Sequence, residues 1–89
     1  MTAPNRIELT RDAMRALAKL DKPVRRRIQG AIEKLADDPR PAGTIALRGV
    51  PEAFRIRVGD YRIIYTLHDA RLLIVVIDIG HRRDVYRSV

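Results

Sequence analysis

The apolar patterning predicts an α+β fold. It is a small single domain spanning residues 1–89, with element order β-α-α-β-β-β and an antiparallel sheet carrying an N-terminal helical hairpin on one face. Three observations predict it. Apolar residues recur at helical period through residues 11–35, alternate through a hairpin at residues 54–65, and fill both faces of a run at residues 72–77.

In chain order, Ile7-Glu8-Leu9 is a short strand, and Thr10 is placed to cap the helix that follows. Ala13, Met14, Leu17 and Leu20 recur at helical spacing from Arg11 to about Leu20. A loop at Asp21-Lys22 leads to a second helix opened by Pro23 in its first turn. Its apolar stripe is Val24, Ile28, Ala31, Ile32 and Leu35, and Asp37-Asp38-Pro39 ends it. Arg40-Pro41-Ala42-Gly43 is a linker without periodicity. Four later segments read as candidate strands: Thr44–Leu47, Phe54–Val58, Tyr61–Leu67 and Leu72–Ile79. Turns fall at Gly49-Val50-Pro51 and His68-Asp69-Ala70-Arg71. The last strand, apolar on both faces, is expected in the sheet interior, ended by Gly80. A polar tail from His81 to Arg87 follows, with one helical turn expected in it.

The hairpin carries the chemistry. Gly59-Asp60 is a two-residue loop, and glycine in its first position suits a type II′ turn. If Val58 and Tyr61 close it, Arg57 lies opposite Arg62, Ile56 opposite Ile63 and Arg55 opposite Ile64. One face then holds Phe54, Ile56, Val58, Tyr61, Ile63 and Tyr65, which assigns both tyrosines to the core. The other face holds Arg55, Arg57 and Arg62. Like charges facing across strands destabilise a sheet. Three guanidiniums gathered there point to a polyanion, with phosphate the first candidate.

Composition narrows the partner further. With 89 residues the chain can bury one core with little margin. Eighteen Lys and Arg against eleven Asp and Glu leave a formal charge of +7, which favours nucleic acid over a membrane surface. No cysteine is present, and the two histidines, His68 and His81, belong to no ligand-spaced cluster, so no metal or other cofactor is expected. Ser88 is the only serine, which disfavours Ser/His and Cys/His nucleophiles. No Gly-rich phosphate loop occurs, and no carboxylate pair suits metal-assisted phosphodiester cleavage. With no apolar signal region and no apolar run of membrane-spanning length, a cytoplasmic protein is expected.

What remains is a set of Arg, His and Tyr side chains. Arg82, flanked by His81 and Arg83 and followed by Tyr86, comes after the strand expected to neighbour Arg62. Fixed cations stabilise a pentacoordinate phosphorane, where negative charge builds on equatorial oxygens. RNA supplies its own nucleophile, the 2′-hydroxyl; DNA does not. Bland readings stand beside these: strand arginines as solvated charges, Tyr86 as a seal on the sheet edge, His81 as a strand cap. The run Arg25-Arg26-Arg27 is a solvated helix face or a contact for ribosomal RNA.

The segments Leu47-Arg48-Gly49-Val50-Pro51, Phe54-Arg55-Ile56-Arg57, Asp60-Tyr61-Arg62-Ile63-Ile64-Tyr65 and Gly80-His81-Arg82-Arg83-Asp84-Val85-Tyr86 together resemble the RelE branch of the RelE/ParE superfamily of type II toxin–antitoxin toxins. The likeness extends over essentially the whole chain. It implies a microbial RNase-like fold and an mRNA interferase that enters the 30S A site of the ribosome and cuts the codon there. The 2′-oxygen would attack the scissile phosphate, leaving a 2′,3′-cyclic phosphate and a free 5′-hydroxyl. By the same resemblance Arg62 binds phosphate, Arg82 stabilises the transition state and assists the leaving 5′-oxygen, and Tyr86 stacks on or orients the base. Arg55 and Arg57 hold the two basic positions of the preceding strand, and Arg83 adds a further RNA contact.

Some relatives carry lysines at those two positions, one of them with a general-base role. Arginine stays protonated at physiological pH and is a poor base. His81, a residue type suited to proton transfer near neutrality, or Tyr86, acidified by the arginines, is the candidate instead. The resemblance also implies a RelB-like antitoxin with an acidic, partly disordered segment, and operator DNA contacted only through that antitoxin. The alternative is a ParE-like toxin that binds gyrase and cleaves nothing. A non-catalytic nucleic-acid-binding module is a third reading, weakened by the inward placement of most aromatics.

Overall fold

Thr10 joins the first strand to the first helix and ties both to the last strand. In the computed structural model, which describes residues 5–68 and 73–81, β1 (Arg6–Leu9) leads into α1 (Arg11–Ala18) through this residue. The Thr10 hydroxyl accepts from the Ala13 N–H at 3.2 Å, capping the helix as its sequence position predicts. The same hydroxyl donates to the Ile77 carbonyl at 3.2 Å, and the Thr10 N–H donates to the Val76 carbonyl at 2.9 Å. α1 buries Ala13 and packs Leu17 against the core, but Met14 is 54% exposed. The predicted stripe was one residue too wide: two turns of helix bury the Ala13–Leu17 line and leave Met14 on its flank.

α2 (Lys22–Asp37) carries Pro23 in its first turn and buries Ile28, Ile32 and Leu35. It stops where Asp38 turns extended ahead of Pro39, because proline disfavours a helical residue before it. The strands that follow are β2 (Ile45–Ala46), β3 (Ala53–Val58), β4 (Tyr61–His68) and β5 (Leu73–His81). They form one five-stranded sheet in the order β1-β5-β4-β3-β2.

Three details depart from the expected order. Four strands follow the helices, as the four candidate segments read, where the order β-α-α-β-β-β counted three; the first is shortened to Ile45 and Ala46, which pair with Arg55 and Phe54. The sheet is mixed rather than antiparallel, because β1 runs parallel to β5. The bonds from Thr10 to Val76 and Ile77 set Leu9 beside Val76, and that direction places Arg6 beside Leu73. Finally, Gly80 does not end the last strand: it pairs with Arg62, and His81 pairs with Tyr61. β5 thus lies in the sheet interior, as its apolar faces predict. Residues 69–71 of the predicted turn and the tail 82–87 lie outside the described residues.

The core sits between the helical hairpin and one sheet face. Ala13, Ile28, Ile32 and Leu35 meet Ile56, Ile63, Tyr65, Leu67, Ile74, Val76 and Ile79. Full burial of each large aliphatic chain contributes roughly 1.5–3 kcal/mol. Tyr65 is fully buried, with its ring 5.8 Å from that of Phe54. Its hydroxyl donates to the Pro39 carbonyl at 2.6 Å, anchoring the exit of α2 to the sheet. Burial raises the Tyr65 phenol above its ordinary value of 10.0, against smaller opposing influences from Thr44 and Arg40.

Candidate active site

The β3–β4 hairpin closes as its loop predicts, and this positions the arginines. Gly59 has φ 61°, while Asp60 is not among the residues with positive φ, as a type II′ turn requires. Val58 pairs with Tyr61, Ile56 with Ile63, Arg57 with Arg62 and Arg55 with Ile64. Alternation sends Ile56 and Ile63 into the core and puts Arg55, Arg57 and Arg62 on the face opposite α1 and α2.

There the three arginines line one recess of about 350 Å³, together with Gly43 and Ile45. Their exposure is graded. Arg62 is buried at 8% exposure, Arg55 is half-buried, and Arg57 is exposed, its Nε donating to the Gly59 carbonyl at 3.4 Å. The recess therefore has a cation at its floor, one in its wall and one at its rim. A guanidinium held by burial needs little reorganisation to meet an anion, which makes Arg62 the best-placed phosphate ligand of the three.

A second recess of about 230 Å³ adjoins the first and shares Gly43 and Arg57 with it. Lys34 of α2 and Ile56 of β3 are among its other walls.

His81 is not among the residues of the arginine recess. It pairs with Tyr61, and its ring meets the Tyr61 ring edge-on at 5.3 Å. Tyr61 packs against the core, so this histidine turns toward the helix side of the sheet. Arg82, Arg83 and Tyr86 lie outside the described residues. They follow directly on β5, whose Gly80 stands beside Arg62.

Three residues of this face went unnoticed in the sequence. Gly43 and Ile45 complete the recess, but a two-residue strand with both residues exposed leaves no alternation to read. Asp78 is the third. The β4–β5 ladder shifts between Ile64 and Tyr65, so that Tyr65 pairs with Val76 and Ile64 with Asp78, leaving Ile77 as an extra residue. Strict alternation from Ile74 and Val76 would have put Asp78 in the core. The bulge instead buries Ile79 and sets Asp78 on the arginine face. Among the described residues, no three His, Cys, Asp or Glu side chains converge on a metal-sized site. None of their helices is long and apolar enough to cross a membrane.

A helical hairpin thus covers one face of a mixed five-stranded α+β sheet, and a cationic recess opens on the other. Residues 7–86 match the family described as the ParE toxin of type II toxin–antitoxin systems (parDE), and the chain belongs to that family. An Escherichia coli protein named putative RelE-like toxin protein is 30% identical over 84 residues, covering 90% of this chain and 87% of its own length. The mRNA interferase toxin RelE of Escherichia coli K12 is 28% identical over 72 residues, covering 79% of this chain and 75% of its own. The archaeal RelE–RelB complex from Pyrococcus horikoshii OT3 superposes with a TM-score of 0.79 at 27% identity, covering 89% of this chain and 96% of the solved one.

Proposed function

We propose that this toxin is a ribosome-dependent endoribonuclease that cleaves mRNA in the A site and is neutralised by a RelB-like antitoxin. The observation that carries this reading is the recess built by Arg55, Arg57 and Arg62. The likeness to an mRNA interferase supports it. Arg62 binds the scissile phosphate, and Arg55 and Arg57 hold the flanking backbone. The RNA 2′-oxygen attacks phosphorus as its proton leaves. The P–O5′ bond breaks, and the 5′-oxygen is reprotonated. Arg82, one residue beyond β5, neutralises the charge that develops, Tyr86 orients the base, and Arg83 adds a phosphate contact. No metal is required by this chemistry, since the substrate carries its own nucleophile and the arginines supply the charge.

The antitoxin contributes the opposite charge. An acidic, partly disordered segment that folds over the arginine face would bury the recess and exclude RNA. The RelE–RelB complex among the structural relatives supports a RelB-like partner. The family match favours a second reading, a ParE-like toxin that binds gyrase and cuts nothing. Induction in cells separates the two. The nuclease reading predicts that methionine incorporation stops within minutes while plasmid supercoiling is unchanged, and that co-expressing the neighbouring antitoxin gene restores growth. Loss of supercoiling with translation intact would establish the gyrase reading instead.

A further inference from the structure

We infer that Asp78 is the general base of this site, the group that takes the proton from the RNA 2′-hydroxyl; the inference rests on the nuclease reading above. The reaction needs a proton acceptor next to the phosphate, and the described residues lining the recess do not supply one. Arg55, Arg57 and Arg62 remain protonated at physiological pH. His81 is turned to the Tyr61 side of the sheet.

Asp78 lies on the right face at the right spacing. It stands opposite Ile64 on β4, and Ile64 in turn stands opposite Arg55 on β3, so the three share one rung across the sheet. The next rung is Arg57, Arg62 and Gly80. Asp78 and Arg62 are therefore diagonal neighbours, about 7–8 Å apart at their backbone positions. Arg55 is two strands away, roughly 10 Å. That interval accommodates a phosphate held on the arginine side with its ribose 2′-oxygen toward the carboxylate. Gly80, between Asp78 and the chain leading to Arg82, puts no side chain in the way.

Among the described residues the Asp78 carboxylate makes no hydrogen bond or ion pair, and the ion pair within 4 Å joins Arg6 to Glu8. A structural aspartate would normally be tied to its neighbours. The bulge at Ile77 is the device that puts it here. Without that extra residue, Asp78 would point into the apolar core and Ile79 onto the arginine face.

In the step itself, Asp78 accepts the 2′-hydroxyl proton as the O2′–P bond forms. The P–O5′ electron pair leaves with the 5′-oxygen, which takes a proton from water. The products are a 2′,3′-cyclic phosphate and a 5′-hydroxyl, with no oxidant, reductant or co-reactant consumed.

The test is single-turnover cleavage of mRNA on programmed ribosomes at saturating toxin, with affinity measured separately, comparing wild type, Asp78→Asn and Asp78→Glu. A general base contributes on the order of 100-fold or more, so Asp78→Asn should slow the chemical step about 100-fold. Affinity should hold or tighten, because a negative charge has been removed beside an anionic ligand. Asp78→Glu, which keeps a carboxylate, should recover at least about tenfold over Asn. A spectator carboxylate predicts no loss of rate: Asp78→Asn cuts as fast as wild type or faster, and that result overturns the assignment alone. Equal rates for Asn and Glu overturn it too. A wild-type chain that occupies the ribosome and cuts nothing removes the nuclease reading, and the assignment with it.

Discussion

Replacing Arg62 with methionine should separate stability from function. Arg62 is 8% exposed and stands directly opposite Arg57. Two costs meet there. A like-charge pair facing across strands destabilises by on the order of 0.2–1 kcal/mol. Withdrawing a guanidinium from water costs several kcal/mol before its surroundings compensate. Methionine keeps most of the arginine volume and removes both costs, whereas alanine would add a cavity. Arg62→Met should therefore stay within about 1 kcal/mol of wild-type stability, which in a domain of this size is a Tm within roughly 4–8 °C of wild type. Cleavage should fall about 100- to 1000-fold, the scale for removing one preorganised donor from a site of developing negative charge. Urea unfolding gives the first quantity and cleavage on programmed ribosomes the second. A short RNA at ten times its Kd should stabilise wild type by about 1.4 kcal/mol and the variant by much less. A variant more than 1 kcal/mol less stable than wild type, losing activity only as it unfolds, would show that Arg62 is an anchor of the fold rather than a strained ligand.

Other consequences follow from the same geometry. His81→Ala should leave cleavage well within the ~100-fold expected of a general base, because its ring lies against Tyr61 and away from the recess; a larger loss in a folded variant would return the histidine to the chemistry. Tyr65→Phe should cost about 1 kcal/mol through the lost bond to Pro39. The folded-state pKa of Tyr65 is raised, so its contribution is full below 10.0 and lost as pH rises past that value. Wild type should therefore weaken in alkali more steeply than Tyr65→Phe, and parallel pH–stability curves would contradict this. Glu52 sits at φ 58° in the loop before β3, where a side chain is strained. Glu52→Gly should stabilise by about 0.5–1 kcal/mol after the unfolded-state cost of glycine, measured by thermal melting, and a drop in Tm would show that the Glu52 side chain holds the loop.

The hairpin was legible because its register is local. Gly59-Asp60 leaves two residues for the loop, and once Val58 faces Tyr61, every later pair, including Arg57 with Arg62, is determined. The α2 stripe was legible for a similar reason: sixteen residues repeat one period long enough to outvote exceptions. What could not be read depends on partners far along the chain. The parallel pairing of β1 hangs on bonds from Thr10 to residues more than sixty positions away. Asp78 and Ile79 exchange faces because of one inserted residue at Ile77, and composition contains nothing that announces it. The same ladder decides where His81 points, since its partner is Tyr61 rather than Arg62. Ile45 and Gly43 reach the recess only because a two-residue strand docks on β3.

The most direct test of the central claim is to map mRNA 3′-ends in a reconstituted translation reaction, with and without ribosomes. Wild type should cut within the A-site codon, only when ribosomes are present, leaving 2′,3′-cyclic phosphate ends. Arg62→Met, though folded, should leave the message intact. If the folded, antitoxin-free toxin yields no such ends, or if Arg62→Met cuts as wild type does, the arginine recess is not a nuclease site.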